Sequence, residues 1–130
     1  MAGTVPLYFV TDLAKTQAYY SEVLGFKVES VFTDPDGGEE VVWSSLTYGE
    51  AGIMLAAFQV AGQEAEIDQL GLGVWAYIEV EDADEYYQEV SRRGARIVKP
   101  VCTMDYGLRE FRVQDPDGYI LVFYHSLQAE

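Results

Sequence analysis

Apolar and polar positions alternate along the chain in a pattern that occurs twice. Each copy starts with a short apolar strand, continues into a helix that follows an Asp and ends at a Gly, and then runs through three further strands. In the second copy Ala83, Tyr86, Tyr87 and Val90 have the spacing of one apolar helical stripe. The pattern therefore predicts two βαβββ units, related as an internal repeat.

Residues with strong capping preferences mark the ends of both predicted helices. Asp12 and Asp82 stand at the N-cap position, where a carboxylate can accept a hydrogen bond from a free backbone N–H. Gly25 and Gly94 stand where the end of a helix usually needs a positive φ. Each copy also contains one Asp-Pro-Asp-Gly tetrad, which favours a tight turn between later strands.

The two units are interpreted as modules of a single domain, residues 1–130. Module one covers about residues 4–60, a polar linker covers about 61–72, and module two covers about 73–126. Since neither module could bury a sufficient core alone, we expect an α+β fold in which the tandem modules form a curved, cup-shaped mixed sheet with the helices outside. Pro6 cannot donate to a sheet ladder, which predicts that the first strand lies at an edge or a crossing point.

Three segments carry a resemblance to a known family: VTDLAKTQAYYSEVLGF, YIEVEDADEYYQEVSRRGA and YGLREFRVQDPDGYILVF. They resemble the vicinal oxygen chelate superfamily, which includes glyoxalase, bleomycin resistance protein and extradiol dioxygenase. The resemblance covers nearly the whole chain and implies the tandem cup-shaped fold. It also implies where a metal would bind, because the metal enzymes of that family hold one divalent ion in the cup through His, Gln or Glu.

At the positions that the resemblance assigns to metal ligands, this chain has side chains that do not coordinate a hard ion. Val5 and Trp75 occupy equivalent places in the first strand of each module, and Val122 occupies the place of the usual carboxylate. The remaining place falls within residues 54–56, Met-Leu-Ala, which offer no hard ligand either. The closest resemblance is therefore to the metal-free, bleomycin-resistance-like members, and we expect no metal, no other cofactor and no catalytic residue.

The charge balance argues against polyanionic partners. The 130 residues include 22 Asp and Glu against 8 Lys and Arg, for a formal net charge of −14 at pH 7. Nucleic acid and anionic membranes would be repelled, whereas a cation would be attracted. The sequence shows no long apolar run and no secretory leader pattern, and Cys102 is the only cysteine, so we expect a cytoplasmic protein.

Aromatic residues are abundant, with 10 Tyr, 6 Phe and 2 Trp. Because alternate strand residues share a face, many of these rings are expected to line the cup. Arg109, Glu110 and Arg112 lie along one predicted strand, so at least one charged group should point into the cup or its rim. The predicted ligand-binding residues are Phe9, Trp43, Trp75, Tyr77, Glu79, Tyr106, Glu110 and Tyr124.

These features favour a metal-independent protein that binds a small aromatic or cationic molecule, such as an antibiotic, in an acidic aromatic cleft. Rings would stack on the ligand, and Glu79 or Glu110 would pair with its positive charge. Two alternatives stay open. The first is a lyase, isomerase or dioxygenase with non-standard site residues, either metal-dependent through ligands at other positions or metal-free with Glu79, Glu110 or Tyr124 as acid or base. The second is a degenerate accessory module that binds nothing. The resemblance also implies a two-fold homodimer with two equivalent clefts.

The remaining reactive side chains are assigned no role in the site. His125, the only histidine, is expected at the surface where the last strand frays. Cys102 lies on a predicted strand and is expected to be a buried, inert thiol.

Overall fold

Each copy of the sequence pattern folds into a mixed sheet with a helix on one face. The computed structural model describes residues 5–33, 40–57 and 74–127. The chain divides into two units, Met1–Leu70 and Gly71–Glu130. Within each unit the described residues confirm the α+β class and the predicted βαβββ order. The predicted linker and the first Asp-Pro-Asp-Gly turn lie outside the described residues.

Module one contains the first four strands and the first helix. Its elements are β1 (Leu7–Val10), α1 (Leu13–Ala18), a π-helical turn (Tyr19–Val23), β2 (Lys27–Thr33), β3 (Val41–Tyr48) and β4 (Ala51–Ala57). The strand order is β1-β4-β3-β2, with β1 parallel to β4 and the other neighbours antiparallel. In the sheet as described, β1 is an edge strand, which confirms the prediction made from Pro6.

The predicted capping residues begin and end the helical segment of module one. Asp12 accepts a hydrogen bond from the backbone N–H of Lys15 at 3.1 Å. Gly25 ends the segment with a φ of 86°, a conformation that costs glycine little. Between them Tyr20 is fully buried, and its ring meets Phe26 edge-on with 5.4 Å between ring centroids. The helical segment is thereby packed against the sheet.

Module two repeats this arrangement. Its elements are β5 (Trp75–Glu79), α2 (Ala83–Arg92), β6 (Arg96–Thr103), β7 (Leu108–Gln114) and β8 (Ile120–Ser126). The strand order is β5-β8-β7-β6, with β5 parallel to β8 and the other neighbours antiparallel. The turn before β8 is the predicted one: Asp115 is buried and accepts hydrogen bonds from the backbone N–H groups of Asp117 and Tyr119. In the part of the chain that the structure describes, neither α1 nor α2 has the length and apolar character needed to cross a membrane.

Aromatic packing fastens α2 to one face of the second sheet. Tyr86 meets Phe123 edge-on with 4.9 Å between ring centroids, and Tyr87 meets Phe111 at 5.2 Å. Val90, one helical turn further along, is fully buried. The apolar stripe predicted for this helix is therefore confirmed, and it fixes which face of the sheet the helix covers.

Polar side chains from the same face of the sheet hold the first turn of α2. The Nδ1 atom of His125 accepts a hydrogen bond from the backbone N–H of Ala83 at 2.8 Å. The guanidinium of Arg109 donates to Asp84 at 2.7 and 3.1 Å and lowers the pKa of that carboxyl. The expectation that His125 lies at a frayed end is wrong, because β8 continues to Ser126 and the imidazole is half-buried against the helix.

Replacing His125 with Ala should lower the free energy of unfolding by about 1 kcal/mol, because the N–H of Ala83 loses its acceptor. The matched variant His125→Asn keeps an acceptor at a similar distance from the backbone and should recover much of this loss. Urea denaturation followed by circular dichroism measures both values. Equal losses in the two variants would show that the imidazole acts by packing and not as a hydrogen-bond acceptor.

Candidate functional site

The face of the second sheet opposite α2 carries most of the predicted site residues. In register, Trp75 lies level with Ile120, and Tyr77 lies level with Val122, which is also level with Arg112. Strand alternation then determines the rest of the surface. We call it the open face of module two and define it by Trp75, Tyr77, Glu79, Glu110, Arg112, Ile120, Val122 and Tyr124.

Glu110 is the central polar residue of the open face, and its side chain is 0% exposed. Its Oε1 atom accepts a hydrogen bond from the hydroxyl of Tyr106 at 2.9 Å. Its Oε2 atom accepts from Nη2 of Arg112 at 3.1 Å and from Nε at 3.2 Å. Both carboxylate oxygens therefore have donors, which offsets the large free-energy cost of removing a carboxylate from water.

The two partners of Glu110 have shifted ionisation equilibria. The pKa of Tyr106 is raised above its ordinary value, mainly because its hydroxyl is partly removed from water and also because that hydroxyl donates a hydrogen bond to the carboxylate of Glu110. Burial alone would lower the pKa of Arg112, but the hydrogen bond and the negative charge of Glu110 outweigh it, so the pKa of the guanidinium is raised. At neutral pH Tyr106 is thus a neutral phenol that donates a hydrogen bond, and Arg112 is a cation.

Aromatic rings surround this polar cluster. The guanidinium carbon of Arg112 lies 4.7 Å from the centroid of the Trp75 ring, a cation–π contact. Tyr77 and Tyr124 have ring centroids 6.0 Å apart and an interplanar angle of 63°. Trp75, Tyr77 and Tyr106 are 49%, 50% and 55% exposed, so each ring keeps surface that another molecule can cover.

The structure brings together the predicted site residues of module two, which are Trp75, Tyr77, Glu79, Tyr106, Glu110 and Tyr124. Glu79 is exposed at the end of β5, level with Tyr124. Phe9 and Trp43 belong to module one, where both lie level with Ala56 on the face that carries the exposed Leu7. Both are half-buried.

Arg112 lies in the candidate site, although the sequence predicted only that at least one charged residue of its strand would face the cup or its rim. Strand β7 directs Arg109 toward α2, where it meets Asp84, and directs Glu110 and Arg112 to the open face. Alternation of side chains along a strand is enough to predict that Glu110 and Arg112 share a face.

Cys102, which was expected to be a buried thiol, is half-buried, and its sulfur lies 3.5 Å from that of Met104.

The side chains at the inferred metal-ligand positions do not fit a divalent ion. Val122 is fully buried and apolar, Val5 is exposed, and Trp75 packs against a guanidinium. The carboxylate of Glu110 has that same guanidinium 3.1 Å away, and a fixed positive charge there disfavours a metal ion at the same oxygen. Within residues 5–33, 40–57 and 74–127, no group of three or more His, Cys, Asp or Glu side chains is arranged to hold a metal.

The chain is similar to known proteins at the level of a family and of a fold. The model of the Glyoxalase/Bleomycin resistance protein/Dioxygenase superfamily matches residues 4–123. TioX from Micromonospora sp. ML1 is 21% identical, with 99% of each chain covered and a TM-score of 0.73. A glyoxalase/bleomycin resistance protein/dioxygenase from Nocardioides is 16% identical over 100% of this chain and 87% of its own, with a TM-score of 0.76.

A member of the same superfamily from Sphaerobacter thermophilus DSM 20745 is 22% identical, with 97% of this chain and 98% of its own covered and a TM-score of 0.71. At these identities the structural likeness shows a shared fold. No match is found among proteins with curated functions.

Replacing Glu110 with Gln should lower the free energy of unfolding by about 2 kcal/mol, because Arg112 loses the charge that compensates it. Glu79→Gln is the matched control: it makes the same chemical change at an exposed glutamate of the same face and should cost less than about 0.5 kcal/mol. Urea denaturation of both variants measures the difference.

A double-mutant cycle that combines Glu110→Gln with Arg112→Met isolates the interaction between Glu110 and Arg112 from the other effects of each substitution. We expect a coupling free energy between the two residues of roughly 1–2 kcal/mol. Equal losses for Glu110→Gln and Glu79→Gln, with no coupling in the cycle, would contradict the central place given to the Glu110 carboxylate.

Proposed function

Because the chain belongs to the Glyoxalase/Bleomycin resistance protein/Dioxygenase superfamily, we propose that it binds a small aromatic molecule on the open face of module two without a metal ion. One observation carries the proposal: the guanidinium of Arg112 lies over one face of the half-exposed Trp75 ring, 4.7 Å from its centroid, and so orients a ring that a ligand can cover. The molecule is sequestered and released unchanged, as in the bleomycin-resistance branch of the superfamily. The homodimer and the cytoplasmic location expected from the sequence belong to the same proposal.

The open face is pre-organised for stacking. Trp75 is oriented by Arg112, and Arg112 is oriented by two hydrogen bonds to Glu110. A ligand that stacks on this ring therefore pays little of the entropy of ordering a flexible side chain. Tyr77 and Tyr106 extend the exposed aromatic surface, and their side chains are close enough to interact with each other. Planar rings bind well to such a surface, because stacking and burial of apolar area act together.

The hydrogen bonds of Glu110 favour binding over acid–base catalysis by this residue. A general base needs a free lone pair within reach of the substrate. The side chain of Glu110 is instead fully buried, with Tyr106 and Arg112 donating to its two oxygens, so neither oxygen is within reach of a molecule at the surface. Glu110 thus holds Tyr106 and Arg112 in place, and Arg112 orients the ring of Trp75.

We predict that 2-naphthylmethanol, an uncharged naphthalene, shifts the indole N–H signal of Trp75 saturably in a proton–nitrogen correlation NMR spectrum. The variant Trp43→Phe assigns the signals, since Trp43 and Trp75 are the 2 tryptophans of the chain. The dissociation constant should be the same with EDTA as with added Mg²⁺ or Zn²⁺, because no metal takes part.

Trp75→Ala should weaken binding by about 1–3 kcal/mol, and the matching change in module one, Trp43→Ala, measures whether the other predicted tryptophan contributes to the affinity. Ligand-observed NMR measures the affinity of both variants. Loss of binding on addition of EDTA would show that a metal ion takes part, and would favour the metal-dependent enzyme instead. No saturable shift of either signal would favour the accessory module that binds nothing.

A further inference from the structure

The polar groups of the open face indicate what kind of substituent its aromatic ligand carries. We infer that the ligand bears an anionic acceptor, such as a carboxylate, next to its ring, and that Arg112 binds this group. The inference rests on the proposed function, because it concerns the same site. The net negative charge of the chain favours a cationic ligand instead. We infer an anionic one because, at this site, the positive charge of Arg112 reaches the surface and the negative charge of Glu110 does not.

The negative charge of Glu110 is not available to a ligand. Its side chain is 0% exposed, whereas that of Arg112 is 21% exposed. Tyr106 donates to one carboxylate oxygen, and Arg112 donates twice to the other. Of the buried ion pair, only the cation therefore reaches the surface, although the pair as a whole is neutral.

Arg112 keeps donors for a further acceptor. A guanidinium has five N–H groups, and its side-on pair with Glu110 uses the Nε–H and one N–H of Nη2. Tyr106 also interacts with the guanidinium, so among the described residues at least two of its three remaining N–H groups, on Nη1 and Nη2, are left for another partner. Two such N–H groups match the two oxygens of a carboxylate, a pairing in which both hydrogen bonds are charge-assisted.

A second cation stands beside the first. Lys99 on β6 lies level with Arg112 on β7, so their side chains share the open face. Directly opposed like charges destabilise a pair of strands, and an anionic group bound near both would relieve that repulsion. This positive spot is unusual in a chain with a formal net charge of −14. At ordinary salt concentrations distant carboxylates are screened beyond about 10 Å, so the local charges decide the preference.

The position of Arg112 fixes where the anionic group must be relative to the ring. Its guanidinium covers one face of the Trp75 ring, 4.7 Å from the centroid. Tyr77 lies level with Arg112, across Val122. A ligand ring that stacks on Tyr77 beside the indole has the guanidinium at its edge, and a carboxylate attached to that edge faces Arg112. Glu79 is the exposed carboxylate on the same face, at the far end of β5, and it is the residue that a cationic ligand would use instead.

The test compares three ligands that share one ring: 2-naphthoate, 2-naphthylmethanol and 2-naphthylmethylammonium. Each is titrated into the unmodified protein in the presence of EDTA, with the indole N–H signal of Trp75 as the readout. We expect 2-naphthoate to bind about ten-fold more tightly than the ammonium compound. Arg112→Met removes both the contact to the anionic group and the support of Trp75, so it should weaken binding of 2-naphthoate about ten-fold more than it weakens binding of 2-naphthylmethanol.

Arg92→Met is the matched control, because it removes the same charge from α2 on the opposite side of the sheet. It should not change the preference among the three ligands. Lys99→Met is the second variant, for use if Arg112→Met does not fold, and it should reduce the preference for 2-naphthoate several-fold.

The outcomes separate the inference from the function on which it rests. If the ammonium compound binds as tightly as 2-naphthoate or more tightly, the inference is overturned and the proposed function stands. If Arg112→Met weakens all three ligands equally, Arg112 acts only by orienting Trp75, and the inference again fails. If none of the three naphthalenes shifts the Trp75 signal, the proposed function itself is overturned.

Discussion

A buried carboxylate sets the architecture of the open face. Removing Glu110 from water is tolerable only if each oxygen finds a donor and the charge finds a counter-ion. Tyr106 and Arg112 meet these requirements, and both are thereby held in place. Arg112 in turn lies over the ring of Trp75. The need of the buried carboxylate for a counter-ion therefore also orients an aromatic ring at the surface. The sheet then presents stacking surface that needs little rearrangement to receive a ligand.

Strand β7 separates two kinds of charge pair by simple alternation. Arg109 points to the helical side and binds Asp84, which fastens the first turn of α2. Arg112 points to the open face and binds Glu110. Phe111, between them, is fully buried against aromatic residues of the helix. The strand thus attaches the helix on one side and builds the candidate site on the other, so stability and binding depend on neighbouring residues.

The repeat, the helix caps and the family were accessible from the sequence because they follow local rules. Asp12, Gly25 and Asp82 act in the structure as their positions predict, and the superfamily resemblance is confirmed. The state of Glu110 was not accessible, since its burial depends on strand register and on a tyrosine supplied by the preceding turn. His125 was misjudged for a similar reason: its partner is a backbone N–H that is close only in the folded sheet.

A crystal structure of the protein grown with 2-naphthoate and EDTA would show whether Glu110 supports a binding surface and takes no part in the contact with the ligand. We expect the naphthalene ring against Trp75 and Tyr77, its carboxylate at the guanidinium of Arg112, and the contacts of Glu110 with Tyr106 and Arg112 unchanged. A ligand bound elsewhere, or a Glu110 carboxylate that leaves Arg112 and turns toward the ligand or a residual metal ion, would contradict it.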